Sequence, residues 1–125
     1  MNKTILIVDD SATVRVAVKM ALKKDYEVVD ANNGQDALNK IKTLTAKGTR
    51  LNLIITDINM PKMGGLEFIR EVKKDRKLKF TPILVLTTES QGSMKAEGKK
   101  AGATGWLVKP FKPDQLQGIV KKVIK

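Results

Sequence analysis

The chain has 125 residues, of which 42% are hydrophobic and 30% charged, and its 24 basic and 13 acidic residues give a net charge of +11. This size and composition predict one folded domain rather than a disordered chain, and no apolar run is long enough to span a membrane. Because the sequence contains no cysteine and no histidine, disulfides, thiolate chemistry, zinc sites and histidine-based acid–base catalysis are excluded, and only oxygen ligands remain for a metal ion.

Short apolar runs rich in β-branched residues alternate with amphipathic stretches, which predicts five strands alternating with five helices. The first half is predicted as strand 3–8, helix 12–24, strand 26–31, helix 35–46 and strand 53–56. The second half is predicted as helix 66–74, strand 82–87, helix 91–101, strand 105–108 and a last helix with Leu116, Ile119, Val120, Val123 and Ile124 at inward spacing.

Two of these helices carry further predictions. Ser11 is placed to cap the first helix, which is expected to turn Val14, Ala17, Val18, Ala21 and Leu22 inward, and the third is expected to bury Leu66, Ile69 and Val72. The fourth helix contains Gly92 and Gly98, and interior glycines destabilise helices, so this helix is expected to be the most mobile.

The alternation of strands and helices predicts an α/β fold, a doubly wound parallel sheet with right-handed crossovers. With five strands, the flavodoxin-like (βα)5 arrangement with strand order 2-1-3-4-5 is expected. The elements use the whole chain, so residues 1–125 are expected to form one domain without a separate output domain.

Polar side chains follow the predicted strands at the edge where open α/β sheets bind ligands. In the expected strand order, strands 1 and 3 are neighbours, so Asp9, Asp10 and Asp57 converge on one crevice. Strands 4 and 5 end beside it and bring Thr87 and Lys109 to the same rim. Taken alone, Asp57 is better interpreted as a turn residue and Thr87 as a packing residue; the convergence favours a functional site.

Three carboxylates in one crevice need positive charge nearby, because like charges raise each other's pKa values. Oxygen ligands alone indicate magnesium or calcium, and a partial protein shell completed by water is typical of magnesium. The backbone carbonyl of Asn59 could add a ligand. Lys109 could be a second compensating charge or simply form a structural salt bridge with Asp57, and both can hold.

A metal ion, a lysine and a hydroxyl facing one carboxylate are the groups needed to stabilise a phosphoryl group on that carboxylate. Asp57 is therefore the candidate nucleophile. A flavin phosphate is disfavoured because it would meet Asp9 and Asp10, and the segment 92–100 lacks the spacing of a P-loop.

Four segments, residues 5–11, 57–65, 86–89 and 102–111, carry a resemblance to a known family. In this order and spacing they resemble the receiver domains of two-component response regulators, and among these most of all the free-standing chemotaxis regulators. The resemblance spans the whole chain.

The resemblance implies a role for each residue at the crevice. Asp57 matches the phosphorylated aspartate, Asp10 a direct magnesium ligand and Asp9 a ligand through water. Asn59 matches the position whose backbone carbonyl binds the metal, and Lys109, with a cis bond to Pro110, matches the lysine on the phosphoryl oxygens.

The resemblance also implies how the signal is read and ended. Thr87 matches the hydroxyl that moves onto the phosphoryl group, and Trp106 holds the place of a switch aromatic that is usually Tyr or Phe. Asn59 and Glu89 fall where the family tunes its self-dephosphorylation. The indole ring of Trp106 is larger than a Tyr or Phe ring, and this departure bears on how far the side chain can move inward when Thr87 moves.

The implied function is a phosphorylation-dependent signalling switch rather than an enzyme. A phosphohistidine of a sensor histidine kinase would donate the phosphoryl group, and the modified protein would change its affinity for a downstream target in chemotaxis. An acidic component of the flagellar motor switch is the candidate target, and a phosphatase is a further candidate partner. A receiver in another phosphorelay and an aspartyl-phosphate hydrolase are the alternatives. The hydrolase is disfavoured because Asn59 stands where such enzymes carry an acid.

The charge of +11 admits three interpretations. A lysine-coated surface without a specific partner is favoured over an acidic protein partner, and nucleic acid is placed third because arginines and aromatic residues are few. The protein is expected to be a cytoplasmic monomer that neither binds nucleic acid nor inserts into membranes.

Overall fold

A computed structural model describes residues 3–60, 62–88 and 95–124 of the chain. Strands and helices alternate as predicted. In chain order they are β1 (Lys3–Val8), α1 (Ala12–Leu22), β2 (Tyr26–Ala31), α2 (Gly34–Ala46), β3 (Leu51–Asp57), α3 (Gly65–Lys74), β4 (Ile83–Thr87), α4 (Lys95–Ala101), β5 (Gly105–Val108) and α5 (Pro113–Val123).

The five strands form one parallel sheet in the order β2-β1-β3-β4-β5, which confirms the predicted flavodoxin-like fold. In the register of β1 and β3, Val8 pairs with Thr56, so the residues that follow, Asp9 and Asp57, emerge side by side. In the register of β4 and β5, Thr87 pairs with Val108. The topology therefore brings four strand ends to one rim.

Alternate residues of the strands supply two cores, one on each side of the sheet. One side packs under α2 and α3 and includes Leu6, Val8, Ile54, Ala37, Ile41, Phe68, Ile69 and Val72. The other packs under α1 and α5 and includes Ile5, Ile7, Leu53, Ile55, Val18, Leu22, Leu116 and Val120. Strands covered on both faces explain the continuous apolar runs in the sequence.

Several predicted details need correction. Ala17, expected to face inward, is exposed, and Phe68, which was not expected in the core, is fully buried. Strand β3 runs from Leu51 through Asp57, so it is longer at both ends than predicted. The predicted start of the fourth helix, residues 91–94, lies outside the described residues.

The predicted N-cap is confirmed, because the Ser11 side chain accepts a hydrogen bond from Val14 N at 3.3 Å. Within the described parts of the chain, no helix is both long and apolar enough to cross a lipid bilayer.

Candidate functional site

Three carboxylates meet at the carboxyl ends of β1 and β3. Asp9 and Asp57 are buried and Asp10 is exposed, and one oxygen from each lies within 4.8 Å of the others. This is the convergence that the predicted strand order implied. Three oxygen donors at this spacing, without nitrogen or sulfur ligands, suit a hard divalent cation such as Mg²⁺.

Lys109 enters the carboxylate cluster from the end of β5. Its Nζ lies 2.8 Å from Asp9 Oδ2 and 3.5 Å from Asp57 Oδ1, and four-fifths of its side chain is covered. The backbone N–H of Lys109 donates to the carbonyl oxygen of Thr87 at 2.6 Å, which fixes where the side chain starts. The expected pair of Lys109 with Asp57 is therefore the longer of two contacts, and the closer partner is Asp9.

The cis peptide bond between Lys109 and Pro110 agrees with the expectation from the resemblance.

The Asp57 carboxylate is held by the backbone around it. The N–H of Ile58 donates to Oδ1 at 2.8 Å, and the N–H of Gly65 donates to the Ile58 carbonyl at 2.9 Å. Gly65 lies so close that a Cβ there would collide with the carbonyl oxygen of Asp57. A residue without a side chain is thus required for α3 to start this near the strand end.

Burial raises the pKa of Asp57 above its ordinary value of 3.8, and the negative charge of Asp9 raises it further. The Lys109 ammonium and the backbone N–H groups of Ile58 and Asn59 lower this pKa without cancelling the increase. The charged form of Asp57 is therefore less favourable here than in water. Because three carboxylates lie around one ammonium group, a bound cation would favour that charged form.

Thr87 is fully buried at the end of β4, and its hydroxyl has no hydrogen-bond partner among the described residues. Buried hydroxyl groups are normally paired, so an unpaired one at this rim is a group that is free to bind an incoming acceptor.

Comparison with known proteins decides the family. The sequence model of one protein family, described as the response regulator receiver domain, matches residues 5–121. The chain belongs to the response regulator receiver family. Phosphorylation of an aspartate is the general signal of these receivers.

Individual relatives of this receiver include chemotaxis proteins. It is 38% identical over 128 residues to chemotaxis protein CheY of Thermotoga maritima, with both chains fully covered. It is 35% identical to CheY1 of Helicobacter pylori, covering 96% of this chain and 95% of that one. The solved structure of CheY4 of Vibrio cholerae matches with a TM-score of 0.87 and 45% identity, covering 98% of this chain and 99% of that one.

Two other relatives of the receiver are longer proteins. The chain spans 9% of the length of a histidine kinase and 50% of the length of a transcriptional regulator. Receivers of this kind therefore occur in proteins of different architecture.

The receiver's Trp106 packs beside α4 rather than at the carboxylates. Its indole Nε1 is buried without a hydrogen-bond partner in the described parts of the chain, and a Cβ placed on Gly98 would lie 3.5 Å from it. Gly98 is the one residue of α4 classed as buried. The glycine therefore has a packing role against the indole that the sequence analysis did not anticipate.

The predicted roles of two further candidate residues, Asn59 and Glu89, remain predictions. Asn59 is exposed just past β3, and the role of its carbonyl as a metal ligand stays a prediction. Glu89 lies outside the described residues.

Arg15 on α1 also reaches the site, although it was not predicted to do so. Its Nη1 donates to the backbone carbonyl of Asp9 at 2.8 Å. The available signal was composition: only four of the 24 basic residues are arginine, and this one follows the acidic pair by a little more than one helical turn.

Proposed function

We propose that this receiver is a phosphorylation-dependent signalling switch in which Asp57 accepts a phosphoryl group from the phosphohistidine of a sensor histidine kinase. The observation that carries the proposal is the meeting of Asp9, Asp10 and Asp57 within 4.8 Å, with the Lys109 ammonium among them. This combination of carboxylates and one cation can hold a metal and a phosphoryl group together.

In the proposed site, Mg²⁺ would be held by Asp10 and Asp57, by the carbonyl of Asn59, and by Asp9 through water. These donors fit because they are all oxygens and only partly fill the shell of a hard cation. When bound, the ion would neutralise charge on the phosphoryl oxygens and so lower the barrier to transfer.

The chain's own groups do the rest of the transfer. A carboxylate oxygen of Asp57 forms a bond to phosphorus while the phosphorus–nitrogen bond of the phosphohistidine breaks and its electron pair returns to the imidazole. The Ile58 N–H, 2.8 Å from Asp57 Oδ1, orients the nucleophile, and Lys109 stabilises charge on the transferred group. No acid is needed from Asn59, which is consistent with a group that is held rather than released.

The unpaired hydroxyl of Thr87 is the proposed reader of the phosphoryl group. Its buried oxygen gains a hydrogen bond only in the modified state, so the phosphoryl group binds one conformation better than the other. When the Thr87 hydroxyl moves onto the phosphoryl group, it would leave space next to β5. Trp106 is the large side chain that could move into this space. The role of both residues as the switch is part of the proposal.

The proposed output surface consists of α4, β5 and α5. Lys95, Lys99, Lys100 and Lys112 are exposed there, which suits an acidic protein partner. We propose that such a target docks more tightly when Asp57 is phosphorylated. The relatives named as chemotaxis proteins support a chemotaxis role. The proposed target is an acidic component of the flagellar motor switch. A phosphatase, together with Asn59 and Glu89, would end the signal.

A cytoplasmic location belongs to the same proposal and agrees with a chain without cysteine. A receiver in another phosphorelay would use the same site, and only its target would differ.

Counting phosphoryl groups tests the switch against the hydrolase alternative. The protein is incubated with acetyl phosphate and Mg²⁺, and phosphate that is bound and released is measured over time. Retention of one phosphoryl group per chain, with release much slower than labelling, supports the switch. Release of many equivalents without an accumulated labelled form would contradict it and favour the hydrolase.

A further inference from the structure

Asp9 is fixed from four directions. Its backbone N–H donates to Ala31 O at 3.1 Å, Oδ1 accepts from Ser11 N at 2.9 Å, and Oδ2 accepts from Lys109 Nζ at 2.8 Å. The fourth contact is the one from Arg15 Nη1 to the backbone carbonyl of Asp9 at 2.8 Å. Asp9 follows the last residue of β1, so Arg15 supplies this carbonyl with a side-chain donor at the end of the strand.

Arg15 is itself held by an acidic residue of β2. Its Nε donates to Asp30 Oδ2 at 3.1 Å, and Lys19 Nζ lies 2.8 Å from the other oxygen of Asp30. The pKa of Asp30 is lowered, mainly by the hydrogen bond from Lys19. The charge of Lys19 and the hydrogen bond and charge of Arg15 also lower this pKa, whereas burial raises it. The planar guanidinium can donate to both partners at a fixed angle, which a lysine at this position cannot do.

Asp10 depends on the backbone for its position. It is exposed, and its carboxylate makes no hydrogen bond or ion pair with any residue in the described ranges. The carbonyl of Asp9 and the nitrogen of Asp10 belong to one planar peptide unit. Fixing the orientation of the Asp9 carbonyl therefore fixes the position of the Asp10 Cα, the atom from which the Asp10 side chain starts.

We propose that Arg15 is a positioning residue for the metal site: through the Asp9 carbonyl it orients the peptide that carries Asp10, and Asp30 orients Arg15. This inference rests on the proposed Mg²⁺ site. It extends the site to α1 and β2, neither of which supplies a metal ligand.

The sign of the effect separates positioning from charge. Arg15 is a cation near a cation site, so if its charge alone mattered, replacing it with alanine would tighten Mg²⁺ binding. Loss of positioning weakens binding instead, and groups that orient metal ligands typically change metal affinity about 10-fold to 100-fold. Asp30 is shared by Arg15 and Lys19 and offsets only part of the Arg15 charge. We expect positioning to dominate because Arg15 contacts the Asp9 carbonyl directly, at 2.8 Å.

The test is a calorimetric titration of MgCl₂ alone into wild type and Arg15→Ala at constant ionic strength, with circular dichroism melts to confirm folding. The expected result is binding about 10-fold weaker in Arg15→Ala, the low end of the range for such groups. Arg15→Gln, which keeps part of the stem, serves in the same titration if the alanine variant does not fold.

Lys19→Ala is the matched control, because Lys19 binds the same Asp30 carboxylate without contacting Asp9 in the described structure. Its Mg²⁺ affinity is expected to equal that of wild type. Unchanged or tighter binding in Arg15→Ala, or an equal loss in Lys19→Ala, would overturn the positioning role.

Failure of the metal site itself is distinguishable. Wild type that does not bind Mg²⁺, or that binds it as well after Asp10→Asn, overturns the site and the role of Arg15 with it. Normal wild-type binding with an unaffected Arg15→Ala overturns the role of Arg15 alone.

Discussion

The Lys109 ammonium lies 2.8 Å from Asp9 Oδ2, although the two residues are 100 positions apart in the chain. Strands β1 and β5 are not neighbours in the sheet, so the contact spans the rim above β3 and β4. Lys109 thereby neutralises one buried carboxylate while staying within 3.5 Å of the other, Asp57.

This geometry predicts opposite effects of Lys109→Ala on metal binding and on phosphorylation. Mg²⁺ affinity should be retained or increased, because the ion no longer shares Asp9 with an ammonium group. Phosphorylation by acetyl phosphate should slow on the order of 100-fold, the usual effect of losing one donor to the reacting group. Lys112→Ala, an exposed lysine three residues on, is the control and should leave both properties unchanged. Labelling of Lys109→Ala at the wild-type rate would contradict the assignment.

Asp57→Asn should stabilise the protein in metal-free buffer at neutral pH. Burial and Asp9 raise the pKa of Asp57, so at pH values between 3.8 and the raised pKa the folded state binds more protons than the unfolded state. Stability contributed by this group is therefore lost as pH rises through that window. Asparagine does not titrate, so the Asp57→Asn variant does not lose stability in this way as pH rises.

Melting temperatures measured against pH in the presence of a chelator check the stability prediction. Wild type should lose stability relative to Asp57→Asn as pH rises, and the exposed Asp25→Asn should behave as wild type. A lower melting temperature for Asp57→Asn than for wild type at neutral pH would show that the charge is not the destabilising group.

Gly98 should be replaceable by alanine but not by a large residue. The added Cβ would lie 3.5 Å from Trp106 Nε1, an ordinary contact distance, and alanine in a helix interior is favoured over glycine by roughly 0.5–1 kcal/mol. Gly98→Ala is thus expected to raise the free energy of unfolding by about that amount, and Gly98→Leu to lower it and change Trp106 fluorescence.

Gly118→Ala in α5 is the matched control for the change at Gly98. A Cβ at Gly118 meets no atom within 4 Å, so it should stabilise without altering the fluorescence. If Gly98→Leu left the fluorescence and stability of wild type, the packing role of Gly98 would be wrong.

Much of the fold was predictable because its signals are local. β-Branched runs and helical spacing gave the ten elements, and the count of strands gave the order that brings Asp9 beside Asp57. Periodicity does not determine how a helix is rotated on the sheet, which is why Phe68 was missed and Ala17 was misplaced.

The unpredicted parts of the site depend on side-chain reach. Strand order puts Lys109 at the rim, but it does not determine that the ammonium lies closer to Asp9 than to Asp57, because this depends on the conformation of the long side chain. The contact of Arg15 with a backbone carbonyl leaves no periodic pattern in the sequence. Gly98 suggested a mobile helix because interior glycines destabilise helices, whereas its packing against Trp106 depends on how α4 lies on β5.

Thr87 should couple phosphorylation to the binding of an acidic partner. A synthetic acidic peptide with apolar anchors should bind wild type more tightly when a stable phosphoryl analogue occupies Asp57, by about 1–3 kcal/mol. In Thr87→Ala this gain should vanish, and Thr87→Ser, which keeps the hydroxyl, should retain most of it. Fluorescence anisotropy of a labelled peptide measures all three proteins. An equal gain in Thr87→Ala would rule out this route for the signal.

The central claim, that Asp57 accepts the phosphoryl group with the help of a metal held by its neighbours, is tested most directly by intact-protein mass spectrometry after incubation with acetyl phosphate. Wild type should gain one hydroxylamine-sensitive phosphoryl group in Mg²⁺ and almost none in chelator, while Asp57→Asn gains none and Asp10→Asn loses the dependence on Mg²⁺ together with the labelling. Equal labelling of Asp57→Asn, or labelling of wild type that a chelator does not reduce, would contradict the account.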